Sequence, residues 1–128
     1  MKIPKRILNI EDTIGKHWDI NRALEWNRCP KADNATTAEE GIKMIEEALE
    51  NGNPYELLIT DMHFPARGVL DENAGMYVIE ELKNKGIDIP IIVCSSVRYR
   101  IPDILGCVFY SRSCDLSWDF KDLLSKLN

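Results

Sequence analysis

The sequence has no C-x-x-C pair. Its four cysteines stand at 29, 94, 107 and 114, with no histidine at metal-ligand spacing from them, so neither a zinc site nor a dithiol redox motif is written into it. The cysteines are read as reduced thiols, and Cys94 and Cys107 lie inside apolar runs, where a free cysteine behaves as a small hydrophobe. Long hydrophobic runs are missing as well: segments such as "IPIIVC" fall far short of the roughly 20 residues that cross a bilayer. The N-terminus lacks the basic-then-apolar order of a signal peptide. A cytoplasmic location without membrane insertion is expected. Positive charge is scarce, with a formal net charge of −5 and no Lys/Arg cluster beyond "KIPKR" at 2–6, which argues against direct nucleic-acid binding. There is no G-x-x-x-x-G-K-[ST] loop to cradle a nucleotide.

What is present is the balance of one ordinary globular domain spanning 1–128: 45% hydrophobic and 29% charged residues in a chain of 128. "RILNI" reads as a strand, followed by a helix whose face carries Ile14, Trp18, Ile20, Ala23 and Leu24. "KADNATT" is a weak strand. "TAEEGIKMIEEALENG" is a strong helix, capped by Thr37 with Glu40 three residues on, and striped by Ala38, Ile42, Ile45 and Leu49. "YELLIT" alternates too little for a strand with one wet face, which suggests burial on both sides. "AGMYVIEELKNKG" is a helix with Val78, Ile79 and Leu82 inward and Gly86 at its C-terminal end. "IPIIVC" is a fourth strand. In "SSVRYRIPDILG", Pro102 limits any helix to a short or distorted one. "CVFY" is a fifth strand, and "LSWDFKDLLSKL" is a closing helix with Leu116, Phe120, Leu123 and Leu127 on one face and Ser117 as its cap. The finished look of this last helix favours a stand-alone domain.

Strands alternating with helices imply a doubly wound α/β fold, a five-stranded parallel sheet covered on both faces. Ligands of such folds sit beyond the carboxyl ends of the strands. Those ends carry Glu11 and Asp12, then Asp61, then Ser95 and Ser96, then Ser111 to Ser113. Carboxylates brought together there repel one another and invite a hard divalent cation, of which Mg2+ suits phosphoryl chemistry.

These stretches resemble the receiver domain of two-component response regulators over nearly the whole chain. "ILNIEDT" is similar to the receiver's first strand and acidic pair. "LLITDMHFP" is similar to the third strand, with the phosphorylated aspartate and a proline four residues later, and "IPIIVCSS" to the fourth strand with its switch hydroxyl. The resemblance implies a flavodoxin-like sheet of strand order 2-1-3-4-5. It also implies that Asp61 accepts a phosphoryl group from a histidine kinase or phosphotransfer protein, and that an unknown output protein reads the result. By the same resemblance Mg2+ is held by Asp12, by Asp61, by the backbone carbonyl of His63 and, through water, by Glu11. Ser95 would bond the phosphoryl group. An aromatic on the fifth strand, Tyr110 in an ungapped alignment or Phe109 after a one-residue shift, would complete the switch. Catalysis would extend at most to the protein's own phosphoryl transfer and dephosphorylation.

Three departures stand out. The family's lysine after the fifth strand is missing from "YSRSCDL", where Ser113 takes its place and Arg112 is the nearest cation; the two cations differ in geometry. The glycine expected about eight residues after the aspartate is Gly75, fourteen residues on. The longer loop reads as a solvated insertion, or as a flap with Arg67 near the phosphate and Asp71 or Glu72 as extra oxygen ligands. The fourth-helix region is short. A receiver-like interaction module that does not switch by phosphorylation is the alternative. A small Mg2+-dependent phosphatase is a third reading, against which stands His63 where a second aspartate would be needed. His17 is expected in solvent, as is the His63 side chain, and Trp18, Trp26 and Trp118 are expected to pack.

Overall fold

The computed structural model describes residues 2–111 and 115–127. Five strands form one parallel sheet: β1 (Ile7–Ile10), β2 (Asp33–Ala35), β3 (Leu57–Thr60), β6 (Ile91–Ser95) and β7 (Gly106–Phe109), in the order β2-β1-β3-β6-β7. This is the expected order 2-1-3-4-5, because β4 (Phe64–Ala66) and β5 (Val69–Asp71) form a separate antiparallel pair. Helices α1 (Ile14–Trp26) and α4 (Leu116–Leu124) cover one face, and α2 (Ala38–Glu50) and α3 (Ala74–Asn84) the other. Every residue of β1, β3 and β6 is buried, as their unbroken apolar runs require.

Side chains alternate across this sheet into two cores. Leu8, Ile10, Leu58 and Val93 pack under α2 and α3, while Ile7, Leu57, Ile59, Ile92 and Cys94 pack under α1 and α4. Thr37 caps α2 by accepting from Glu40 N–H at 3.1 Å, and Gly86 ends α3 at φ 69°, both as the sequence indicates. The cap of α4 is Asp115, which accepts from Ser117 N–H at 2.9 Å, and Ser117 itself is buried. Leu49 at the end of the α2 stripe is exposed.

The inner face of α1 differs from the expected one. Ile14 and Trp18 are exposed, and the buried positions are Lys16, His17, Ile20, Ala23 and Leu24. The buried stripe runs Lys16, Ile20, Leu24 at four-residue steps, so a lysine takes its first position. His17 is buried between the side-chain amides of Asn9 and Asn21, at 2.9 and 3.2 Å, and burial lowers its pKa. Trp26 and Trp118 lie against each other at 5.3 Å between ring centres, yet both are about half exposed.

The long loop is exposed at residues 67–70 and at Glu72 and Asn73, as a solvated insertion would be, but it is ordered as a hairpin. Its two strands turn at Arg67 and Gly68, both at positive φ, as a two-residue hairpin needs. Phe64 and Ala66 are fully buried beneath it. Between β6 and β7 no helix forms. The segment turns through Pro102 and Asp103, the latter at φ 65°, and Tyr99, Ile101 and Ile104 fill the place of a helix against the α3 side of the core.

Gly75 marks where hairpin and α3 meet the end of β3: a Cβ there would lie 2.5 Å from the Asp61 carbonyl oxygen and 3.0 Å from Met62 Cα. Because backbone yields little, Gly75→Ala is expected to cost roughly 1–3 kcal/mol by overpacking, read as a lower urea midpoint at unchanged slope.

Candidate functional site

The register of β1 on β3 pairs Ile10 with Thr60, and Asp61 N–H donates to the Ile10 carbonyl at 3.1 Å. Glu11 and Asp61 therefore leave adjacent strands at the same level. Glu11 turns inward and is buried, whereas Asp12 is exposed. The Asp61 side chain is 16% exposed, enough to be reached from solvent. It lines an open cleft of about 530 Å³ together with Glu11, Lys16, Trp18, Asp19, Ser96 and Tyr110.

The ammonium of Lys16 enters this site from the first turn of α1. Its Nζ lies 3.0 Å from Glu11 Oε1 and 3.0 Å from Asp61 Oδ2, and donates to the Cys94 carbonyl at 2.7 Å. One cation thus joins the ends of β1, β3 and β6. An ammonium has three protons, but only the Cys94 bond is well directed, and Glu11 Oε1 has the charge nearby without a directed hydrogen bond. Its other oxygen accepts from Thr13 N–H at 3.2 Å. Asp61 Oδ1 accepts from Met62 N–H at 2.7 Å. Burial works against the Lys16 charge, but Glu11 and Asp61 outweigh it and raise its pKa, so the ammonium persists. Glu11 is pushed up to about 7, chiefly by burial and further by the charge of Asp61, against the opposing pull of Lys16.

The expected convergence of three carboxylates is thus altered: Glu11 and Asp61 meet across a lysine, and Asp12 stands outside. Among the described residues no three acidic, histidine or cysteine groups stand together as a divalent-ion site. The chemistry of the cleft nonetheless suits a hard cation. Two carboxylates share one ammonium, and Asp12 adds a third close by in sequence. Asp12 and the His63 side chain are both exposed.

Ser95 closes β6 and is buried, its hydroxyl accepting from Val97 N–H at 3.2 Å. Its strand partner is Phe109, over whose ring Arg98 lies at 4.3 Å. Tyr110, expected beside Ser95, belongs instead to the α1 and α4 side of the sheet, because successive side chains of a strand alternate. Phe109 is the aromatic on the Ser95 side. The Tyr110 hydroxyl donates to Asp19 Oδ2 at 2.6 Å, and Lys16 Nζ lies 5.2 Å from its ring centre. Arg112, Ser113 and Cys114 lie outside the described residues. Arg67 is no flap over the site: its backbone N–H donates to Glu39 at 2.9 Å, and its guanidinium pairs with Asp71 at 3.3 Å and lies on Tyr77 at 4.6 Å. Asp71 is spent there and on Asn73 N–H; Glu72 is exposed.

Lys16 is the site residue that sequence reasoning missed. Its signal was present, a lysine four residues before Ile20 on a stripe otherwise apolar, with acids and no cation at the ends of β1 and β3.

Because the raised Glu11 pKa favours the protonated folded state, its contribution to stability is present below about 4.5 and is lost as pH rises through about 7. In chelator-treated protein, stability is therefore expected to fall by a few kcal/mol at most between pH 5 and 8. Glu11→Gln should flatten that slope in urea titrations at each pH.

The chain matches no family model and no curated protein sequence. Solved structures do match. A DNA-binding response regulator of the LuxR family from Staphylococcus aureus is 14% identical, with 95% of this chain and 97% of that one covered at a TM-score of 0.68. The phosphorylated cyanobacterial phytochrome response regulator RcpA is 19% identical, over 94% and 89% of the two chains, at a TM-score of 0.68. The receiver domain of the histidine kinase CKI1 from Arabidopsis thaliana, complexed with Mg2+ and BeF3−, is 16% identical over 95% and 91%, at a TM-score of 0.64. Among the described residues no helix is long and apolar enough to cross a membrane. The five-stranded parallel sheet and its strand order are those of a receiver-domain fold, which is the fold of this chain.

Proposed function

We propose that this protein is a signalling receiver that accepts a phosphoryl group on Asp61 from a histidine kinase or phosphotransfer protein and passes the change to an output protein. The observation that carries this reading is Asp61 itself, a solvent-reachable carboxylate at a strand end, with one oxygen on a backbone N–H and the other 3.0 Å from a buried ammonium.

In the reaction, an oxygen of Asp61 attacks phosphorus as the bond from phosphorus to the donor nitrogen breaks, and the donor imidazole leaves with that electron pair. Met62 N–H and Lys16 hold the carboxylate in position before attack. Lys16 opposes the negative charge that the incoming group brings, and in this reading the Ser95 hydroxyl, which accepts from Val97 N–H, donates its own proton to that group. A bound Mg2+, which Asp61, Asp12 and the His63 carbonyl would hold, with Glu11 through water, supplies Lewis-acid neutralisation of the phosphoryl oxygens. Arg112 serves as a further cation in this reading. The protein performs its own modification and turns over no other substrate.

With Mg2+ and a small acyl phosphate, the intact mass is expected to rise by one phosphoryl group, and Asp61→Asn to abolish the gain. Chelation should slow labelling by about two orders of magnitude. An unlabelled wild type would leave the module that does not switch by phosphorylation, and equal labelling of Asp61→Asn would place the acceptor elsewhere.

A further inference from the structure

We propose that Lys16 is a positioning residue that couples the charge on Asp61 to helix α1 and Tyr110, so that the state of the site is read on the α1 side of the sheet. This deepens the phosphoacceptor reading and rests on it for the signal, though not for the coupling. The Lys16 ammonium is shared among Glu11 Oε1, Asp61 Oδ2 and the Cys94 carbonyl, and it also lies over the Tyr110 ring. Tyr110 is tied back to the same helix through Asp19, whose other oxygen pairs with Arg22. Lysine and aspartate stand three residues apart on α1, so the site, the helix and the β7 terminus form a closed ring of contacts.

Such a ring responds to charge. Aspartyl phosphate carries about two negative charges where the carboxylate carried one, and the ammonium paired with Asp61 has to shift its share from Glu11 and from the Tyr110 ring toward it. Lys16 is nearly as buried as the core around it, so its stem does not move without its helical turn. That turn carries Trp18, exposed and lining the same cleft. On the other side of the sheet, the segment joining β6 to β7 has no helix to carry a response.

The test uses the full chain with Trp26→Phe and Trp118→Phe, leaving Trp18 as sole tryptophan emitter. Phosphoryl occupancy is read by intact mass in the same sample. The expected result is a Trp18 emission change per phosphoryl group that Lys16→Met abolishes and Tyr110→Phe, which keeps the ring and loses the Asp19 bond, reduces. Lys16→Met combined with Glu11→Gln guards against misfolding by removing the unpaired buried charge, and its fold is checked by circular dichroism. An emission change per phosphoryl as large in the Lys16 variants as in the parent overturns the proposal.

A second arm needs no phosphorylation. Asp61→Asn alters the charge facing Lys16 and is expected to change Trp18 emission in the Lys16 protein but not in the Lys16→Met, Glu11→Gln protein. Equal changes in both backgrounds, or none in either, overturn the coupling. A parent that gains no phosphoryl mass yet shows this difference overturns the phosphoacceptor reading alone.

Discussion

A single buried ammonium ties the strand ends of this protein together. Removing a cation and two carboxylates from water costs several kcal/mol per ion unless their mutual attraction and hydrogen bonds offset it. Lys16 meets that condition by reaching the ends of β1, β3 and β6 at once. Glu11 fares less well: its Oε1 has charge beside it but no directed hydrogen bond, and its pKa is correspondingly raised. The arrangement leaves Asp61 held by Met62 N–H and Lys16 and open to solvent, as a nucleophilic carboxylate must be.

Placing the cation on α1 has consequences for the rest of the fold. The stripe Lys16, Ile20, Leu24 makes the helix that anchors the α1 and α4 core also the helix that reaches the site. Tyr110 closes onto Asp19 of that helix rather than facing Ser95, and Phe109 stands beside Ser95 instead. The hairpin of β4 and β5 belongs to the opposite side, where Arg67 is engaged with Glu39, Asp71 and Tyr77. Its length is accommodated by burying Phe64 and Ala66 and by Gly75, which lets α3 start against the backbone of Asp61. The extra residues form the exposed end of the hairpin, and Arg67 is held by Glu39, Asp71 and Tyr77.

Much of the fold was legible because it depends on local pattern. Apolar runs without alternation marked β3 and β6 as buried strands, Thr37 and Gly86 marked helix ends, and alternation of element types implied the parallel sheet. Errors arose where a side chain's surroundings are supplied by distant parts of the chain. Ile14 and Trp18 look like core on a helical wheel, yet the inner side of α1 meets Glu11 and Asp61, which engage Lys16, and Asn9, which engages His17. Pro102 weakened the helix before β7, and packing of Tyr99, Ile101 and Ile104 on the core replaced it altogether.

By itself the sequence determined that Glu11, Asp61 and Ser95 stand at strand ends, because strand period and length place them there regardless of neighbours. Only the tertiary structure decided which cation faces Asp61. The ammonium that meets it comes from a helix between β1 and β2, and its reach across three strands is a property of their lateral order and of the rotation of α1. The same is true of Tyr110: a shift of one residue along β7 exchanges the two faces of the sheet, and the register of β7 on β6 settles which aromatic lies beside Ser95 and which beside Lys16.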